Sequence, residues 1–143
     1  MRVLVPIAQS GQRLSRPFQL LLNAAMQCAA EAMRRQPLPL LYTLPRTQAG
    51  VEYKPEPWAG DGVEEFADPY TVYKRHWGDC DDLVIWRGGE LLAQCLQCHA
   101  RILHDTTRNK YHTQLTLDYA GIIEDPSLER LGKPYRWRIR SYS

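Results

Sequence analysis

Residues 76–86 read HWGDCDDLVIW, that is His76-Trp77-Gly78-Asp79-Cys80-Asp81-Asp82-Leu83-Val84-Ile85-Trp86. A glycine, a cysteine among three aspartates and an unbroken apolar run together mark the start of a helix that enters a core. Asp79 stands where an N-cap acceptor is needed, and Asp82 follows at capping-box spacing. Cys80 then falls in the first turn, where the positive end of the helix favours a thiolate. The neighbouring carboxylates oppose that ionisation, so the thiol needs a further cation, and a histidine supplies one. Two readings follow for Cys80: a small buried residue at a helix start, or a nucleophile.

Working outward, the apolar spacing predicts a helix beginning at or near Cys80 and running over Leu83–Ile102. Leu83, Trp86, Glu90, Leu91, Gln94, Cys95 and Cys98 lie along its rows. Gly88-Gly89 inside it costs about 1 kcal/mol per glycine relative to alanine, which predicts another backbone packed closely there. Upstream, Phe18–Arg35 has helical spacing with one apolar face. Ser15 is a candidate cap, Pro17 sits in the first turn, and Cys28 reads as inert buried packing. Met1–Ile7 reads as a strand that Pro6 confines to an edge. Residues 36–70 are proline-rich and read as ordered loop, with Gly50-Val51-Glu52-Tyr53 a brief strand.

Downstream the period changes to two. Tyr111–Leu117 alternates as a strand, Asp118–Gly121 turns, and Ile122–Asp125 forms a strand stopped by Pro126. Tyr135, Trp137 and Ile139 alternate with Arg136, Arg138 and Arg140, a strand with a solvated basic face opposite core aromatics. The order of helix, loop, helix and then antiparallel strands predicts an α+β fold, with the nucleophile-bearing helix packed on a small antiparallel sheet.

Composition sets the outer limits. The chain has 143 residues, 44% hydrophobic and 24% charged, which fits a single folded domain over 1–143. A net charge of +2 is too mild to argue for nucleic acid as the main partner. No apolar run reaches membrane-spanning length. The first residues lack the order of a secretory signal, which predicts a cytoplasmic origin and reduced thiols for the four cysteines.

Chemistry enters through the strands. His112 lies near the start of one and Asp125 at the end of the next, 13 residues later. A hairpin about residues 118–119 sets them opposite each other on neighbouring strands. Asp125 then holds the imidazole and His112 pairs with Cys80, which is the nucleophile, base and orienter pattern of covalent acyl transfer.

These residues carry a resemblance. Gly78-Asp79-Cys80-Asp81-Asp82-Leu83, His112 on a strand, and Gly121-Ile122-Ile123-Glu124-Asp125-Pro126-Ser127 resemble the transglutaminase-like branch of the papain-like cysteine enzymes, nearest to small forms of tailed bacteriophages and prophages. Gly50–Tyr53 and Phe66-Ala67-Asp68-Pro69 are also similar to that group. The likeness spans residues 50–132, between an N-terminal part (1–49) and a basic C-terminal strand (133–143). It implies a papain-like core, with Cys80 as nucleophile, His112 as base and Asp125 as its orienter. The implied activity is hydrolysis or transfer at a peptide, glutamine or isopeptide bond. The substrate is then a peptide or protein, such as a virion protein or a cell-wall peptide, met in the host cytoplasm. A second implication differs in class: a non-catalytic virion component at a head–tail junction or tail, using the same fold to assemble with other virion proteins.

An oxyanion hole needs the Cys80 N–H and one upstream donor, for which Trp58, Tyr73 and Trp77 are candidates. His76 is close enough in sequence to line the cleft, and with His104 is otherwise read as a surface residue. Asp81 and Asp82 read as helix-cap residues, with calcium the competing role because some relatives bind it. No other cofactor is expected. Cys95-Leu96-Gln97-Cys98-His99 fits CxxCH, but haem attachment needs export and a second axial ligand, and zinc lacks a second ligand pair beyond His99 or His104.

Overall fold

The helix that starts at Cys80 is buried along most of its length, and the other elements pack around it. In chain order the computed structural model, which describes residues 2–6, 15–55, 63–105 and 110–139, runs β1 (Arg2–Pro6), α1 (Ser15–Arg35), a 3-10 turn (Leu41–Thr43), β2 (Glu52–Tyr53), β3 (Val63–Ala67), α2 (Pro69–Arg75), β4 (Trp77–Gly78), α3 (Cys80–Ala93), β5 (Cys98–Asp105), β6 (Lys110–Leu117), β7 (Ile122–Glu124), α4 (Pro126–Arg130) and β8 (Arg136–Arg138). This is an α+β architecture. β5-β6-β7-β8 form one antiparallel sheet, β1 pairs antiparallel with β3, and β2 pairs parallel with β4.

α3 buries Leu83, Val84, Ile85, Trp86, Leu91 and Leu92. A helix apolar on so many sides belongs inside a fold rather than on its surface. α1 covers one side through Phe18, Leu22, Met26, Ala29, Ala30 and Met33, spaced three and four apart. A close approach occurs at Gly88-Gly89, made by the side chains of α1 more than by the backbone that was expected. A Cβ on Gly88 would stand 2.7 Å from the Met26 sulfur, and one on Gly89 2.4 Å from Met33 Cε and 2.8 Å from Ala29 Cβ. The glycines therefore trade helix propensity for contact with α1. Cys28 departs from expectation, lying on the exposed face of α1.

The proline-rich segment is ordered by buried charge. Glu90 accepts from the Leu41 N–H at 2.5 Å, and the Tyr42 hydroxyl donates to Glu124 at 2.5 Å. Glu124 also takes Arg87 at 2.7 Å and Arg136 at 2.8 Å. Arg130 donates to the carbonyls of Leu44, Pro45 and Val51 at 3.1, 3.3 and 3.2 Å. Buried charges are retained inside when they are paired, and here each has several partners, although one Arg130 nitrogen, Nη2, finds none among the described residues.

Four expectations are corrected. First, the helix predicted to run to Ile102 stops at Ala93, and Cys98–Asp105 is a strand. Cys95 turns into the left-handed region (φ 61), with its N–H on Leu92 and that of Leu96 on Leu91, both at 2.9 Å. That is a Schellman stop, usually signalled by glycine and here built on cysteine. Second, residues 36–70 hold β3 and the start of α2 as well as loop; Asp68 caps α2, with Pro69 behind it. Third, a short helix, α4, follows Asp125 where only a proline stop was read. Fourth, the C-terminal alternation does not sort core from solvent: Trp137 is 40% and Ile139 43% exposed, while Arg136 pairs with buried Glu124. β8 is a three-residue edge strand, too short for both faces to be covered.

Candidate functional site

The start of α3 forms as its residues dictate. Asp79 accepts from the Asp82 N–H and Asp82 from the Asp79 N–H, each at 3.1 Å, a complete capping box. Asp82 also accepts from Ala67 N–H at 2.8 Å and from Arg75 at 2.7 Å. Burial pushes the Asp82 carboxyl up to about 7, against the pull of those N–H groups and of Arg75. Its oxygens are committed to fastening α3 to β3 and α2. Asp81 does not cap. Its carboxylate takes the Thr113 hydroxyl in a short hydrogen bond and lies 3.9 Å from Cys80 Sγ. Cys80 is thus half-buried at the helix mouth, beside a carboxylate held by β6.

His112 and Asp125 meet. The imidazole Nε2 lies 2.6 Å from Asp125 Oδ2, which also accepts from the Gln114 amide at 3.1 Å. The other Asp125 oxygen caps α4 through the Leu128 N–H at 3.2 Å, and the Asp125 N–H donates to Tyr135 at 2.7 Å. Asp125 is 1% exposed and fixed on both sides. The register differs from expectation: Leu115 faces Glu124 and Thr116 faces Ile123, so continuing the ladder sets Asp125 opposite Gln114. His112 is two residues further along β6 and shares a face with Gln114, so Asp125 reaches it diagonally. Thr113, between them, turns the other way to Asp81.

The electrostatics follow from these contacts. The hydrogen bond to Asp125 raises the His112 pKa; burial opposes this, and the charges of Asp125 and Asp81 add to it. Burial pushes Asp125 up, but the His112 hydrogen bond and charge, with the Gln114 and Leu128 donors, hold its carboxyl below the usual range. Asp125 on Nε2 assigns the proton to that nitrogen and leaves Nδ1 as the acceptor in the neutral ring. The His112 side chain is 38% exposed, so a substrate can reach it. Among the described residues the Cys80 thiol lies beside Asp81, and none of its hydrogen bonds there is with the imidazole. Catalytic hydrogen bonds are often long in an empty site and tighten in the complex.

The sequence reading missed a fourth group. β2 pairs with β4 so that Tyr53 stands beside Gly78, with Lys54 N–H on the Gly78 carbonyl at 2.9 Å. Its phenol is pushed up to about 12, by burial first and then by the negative charges of Cys80, Asp79, Asp125 and Asp81. Tyr53 therefore stands beside the strand that leads into Cys80, within electrostatic reach of Cys80 and Asp125. Its signals in the sequence were membership of a brief strand and of a stretch, Gly50–Tyr53, similar to the transglutaminase-like group; neither singled out the tyrosine.

The remaining candidates have other partners. Tyr73 packs edge-on against Trp86, ring centres 6.0 Å apart. Trp77 carries the Arg75 guanidinium on its face at 3.6 Å. His76 closes α2 in the left-handed region, and its Nδ1 lies 2.8 Å from the Gly50 carbonyl. His104 stacks on Tyr111, ring centres 4.3 Å apart. Trp58 lies outside the described residues.

Cys95 is exposed on the turn, whereas Cys98 is buried with its thiol on the Gly88 carbonyl at 3.7 Å. Burial pushes the Cys98 thiol up to about 12. His99 pairs with Asp118 at 2.9 Å. Among the described residues no cluster of three or more His, Cys, Asp or Glu side chains is placed to hold a metal, and no helix is long and apolar enough to cross a membrane. No protein-family model matches the chain, and neither does any curated protein or solved structure.

Proposed function

We propose that the protein is a cysteine-dependent acyl-transfer enzyme with a papain-like, transglutaminase-like site, in which Cys80 attacks an amide carbonyl, His112 moves the proton and Asp125 orients the base. One observation carries this reading: the 2.6 Å contact between His112 Nε2, on β6, and a buried Asp125, the cap of α4, both elements packing against the helix led by Cys80. A solvated surface pair would not bury its carboxylate and add two further donors to it.

The chemistry is as follows. His112 Nδ1 takes the Cys80 thiol proton, and the imidazolium is stabilised by Asp125. The thiolate adds to the amide carbon and the carbonyl oxygen becomes an oxyanion. Collapse breaks the C–N bond, and the leaving amine takes the proton from His112. The resulting thioester is then cleaved by water, giving a carboxylic acid, or by an amine, giving a new amide; either restores the thiol. The substrate class that fits is a peptide or protein amide.

Exposed Cys28 and Cys95 supply internal controls for the test. With p-nitrophenyl acetate at pH 7, site-resolved mass spectrometry should find the acetyl group on Cys80 at least about tenfold ahead of both. Equal acetylation of the three cysteines overturns the proposal.

A further inference from the structure

We propose that Tyr53 is a catalytic residue of this site, donating its phenolic O–H to the oxyanion formed when the Cys80 thiolate adds to an acyl carbonyl. The inference deepens the acyl-transfer reading above and rests on it.

The backbone places the residue. β2 runs parallel to β4, with Glu52 N–H on the His76 carbonyl at 3.1 Å and Lys54 N–H on that of Gly78 at 2.9 Å. Tyr53 is thereby fixed beside Gly78, two residues before Cys80, by a ladder that uses only its backbone, while its ring packs partly against the core. The ladder itself is anchored: Gly50 packs against Pro45, Val51 is fully buried, and Arg130 holds the Val51 carbonyl at 3.2 Å. A donor mounted on such a strand needs little reorganisation when charge develops.

The chemistry of the surroundings selects the role. A phenol is protonated at neutral pH, and here burial, with the charges of Cys80, Asp79, Asp125 and Asp81, raises its pKa further, so it acts as a donor rather than as a base. Among the described residues its hydroxyl has no hydrogen-bond partner. A half-buried O–H in that position is available to a substrate oxygen. The upstream candidates read from the sequence and described here, Tyr73 and Trp77, are instead packed on Trp86 and Arg75. The Cys80 N–H, at the first position of α3, supplies the second donor.

Acylation and alkylation of the same thiol separate this role from any other. Acylation by p-nitrophenyl acetate passes through a tetrahedral oxyanion: the C–S bond forms, the C–O bond to the leaving group breaks, and p-nitrophenolate departs. Alkylation by iodoacetamide displaces iodide and makes no oxyanion. Tyr53→Phe keeps the ring and removes only the hydroxyl. The expected result is acylation of Cys80 slowed about 10²-fold, the usual loss for one oxyanion donor, with alkylation unchanged within about twofold. Unchanged acylation overturns the proposal, and so does an equal fall in both rates, which would mean that Tyr53 acts on the thiol or on the fold. If wild-type Cys80 is not acylated ahead of Cys28 and Cys95, the acyl-transfer reading itself fails. If it is, and Tyr53→Phe behaves as wild type, only the role of Tyr53 fails.

Discussion

The chain carries two cysteine motifs, and the fold treats them oppositely. Gly78-Asp79-Cys80-Asp81-Asp82 becomes a capped helix start whose thiol is half-buried, next to a carboxylate held from β6. Cys95-Leu96-Gln97-Cys98-His99 is split across a helix stop and a strand, so its three ligand-type residues diverge: Cys95 to the surface, Cys98 to a backbone carbonyl, His99 to Asp118. Spacing along a chain is chemistry only if the backbone gives those residues one focus. A helix N-terminus provides one, and a turn followed by a strand scatters its side chains.

That contrast can be broken or sharpened by substitution. The largest effect is expected at the nucleophile: Cys80→Ser should slow acyl transfer to p-nitrophenyl acetate on the order of 10⁴-fold or more, whereas Cys98→Ser should leave it unchanged. Removing the base comes next. His112→Ala should cost about 10²- to 10⁴-fold in the same assay, and His99→Ala nothing.

Asp125→Asn tests the electrostatics. Its imidazole, followed by NMR titration, should fall back toward the ~6.5 of an unperturbed histidine. Folding raises the His112 pKa, so that contribution to stability is complete below the unfolded value of about 6.5 and is lost as pH rises through the folded value. Asp125 is held low, so its contribution is present above about 3.9 and is lost as pH falls through its folded value. The stability gap between wild type and Asp125→Asn, from denaturant midpoints, should therefore be widest between about pH 4 and 6.5. A gap that does not vary with pH would remove the ion pair from the account.

The smallest effects concern the two helix ends. Asp79→Ala breaks the capping box and should cost about 1 kcal/mol in urea unfolding. Cys95→Gly relieves a left-handed cysteine and should gain up to about 1 kcal/mol, with no effect on activity.

Much of this was legible in the sequence because it was local. The capping box depends on residues three apart, the α1 stripe on the helical period, and the glycine pair on a cost that only close packing offsets. What was lost involved longer range or an unusual residue. The stop after Ala93 was hidden because Cys95 occupies the position where glycine usually sits. The contact between His112 and Asp125 was anticipated but with a register two residues off, since the turn at 118–121 fixes the ladder and Asp125, at the cap of α4, reaches diagonally to the imidazole. Tyr53 could not be found at all from spacing. A parallel pair of two-residue strands brings it to Gly78, two residues before Cys80, and nothing in the spacing of residues 50–53 announces that partner.

The central claim is that Cys80 is activated by His112. Alkylation of each cysteine by iodoacetamide at pH 6.5, resolved by peptide mass spectrometry in wild type and His112→Ala, tests it most directly. Ordinary thiols, with pKa near ~8.5, react slowly there. The account predicts that wild-type Cys80 labels at least about tenfold faster than exposed Cys28 and Cys95 and loses that lead in His112→Ala. Equal labelling of the three thiols, or a lead that survives loss of the histidine, contradicts it.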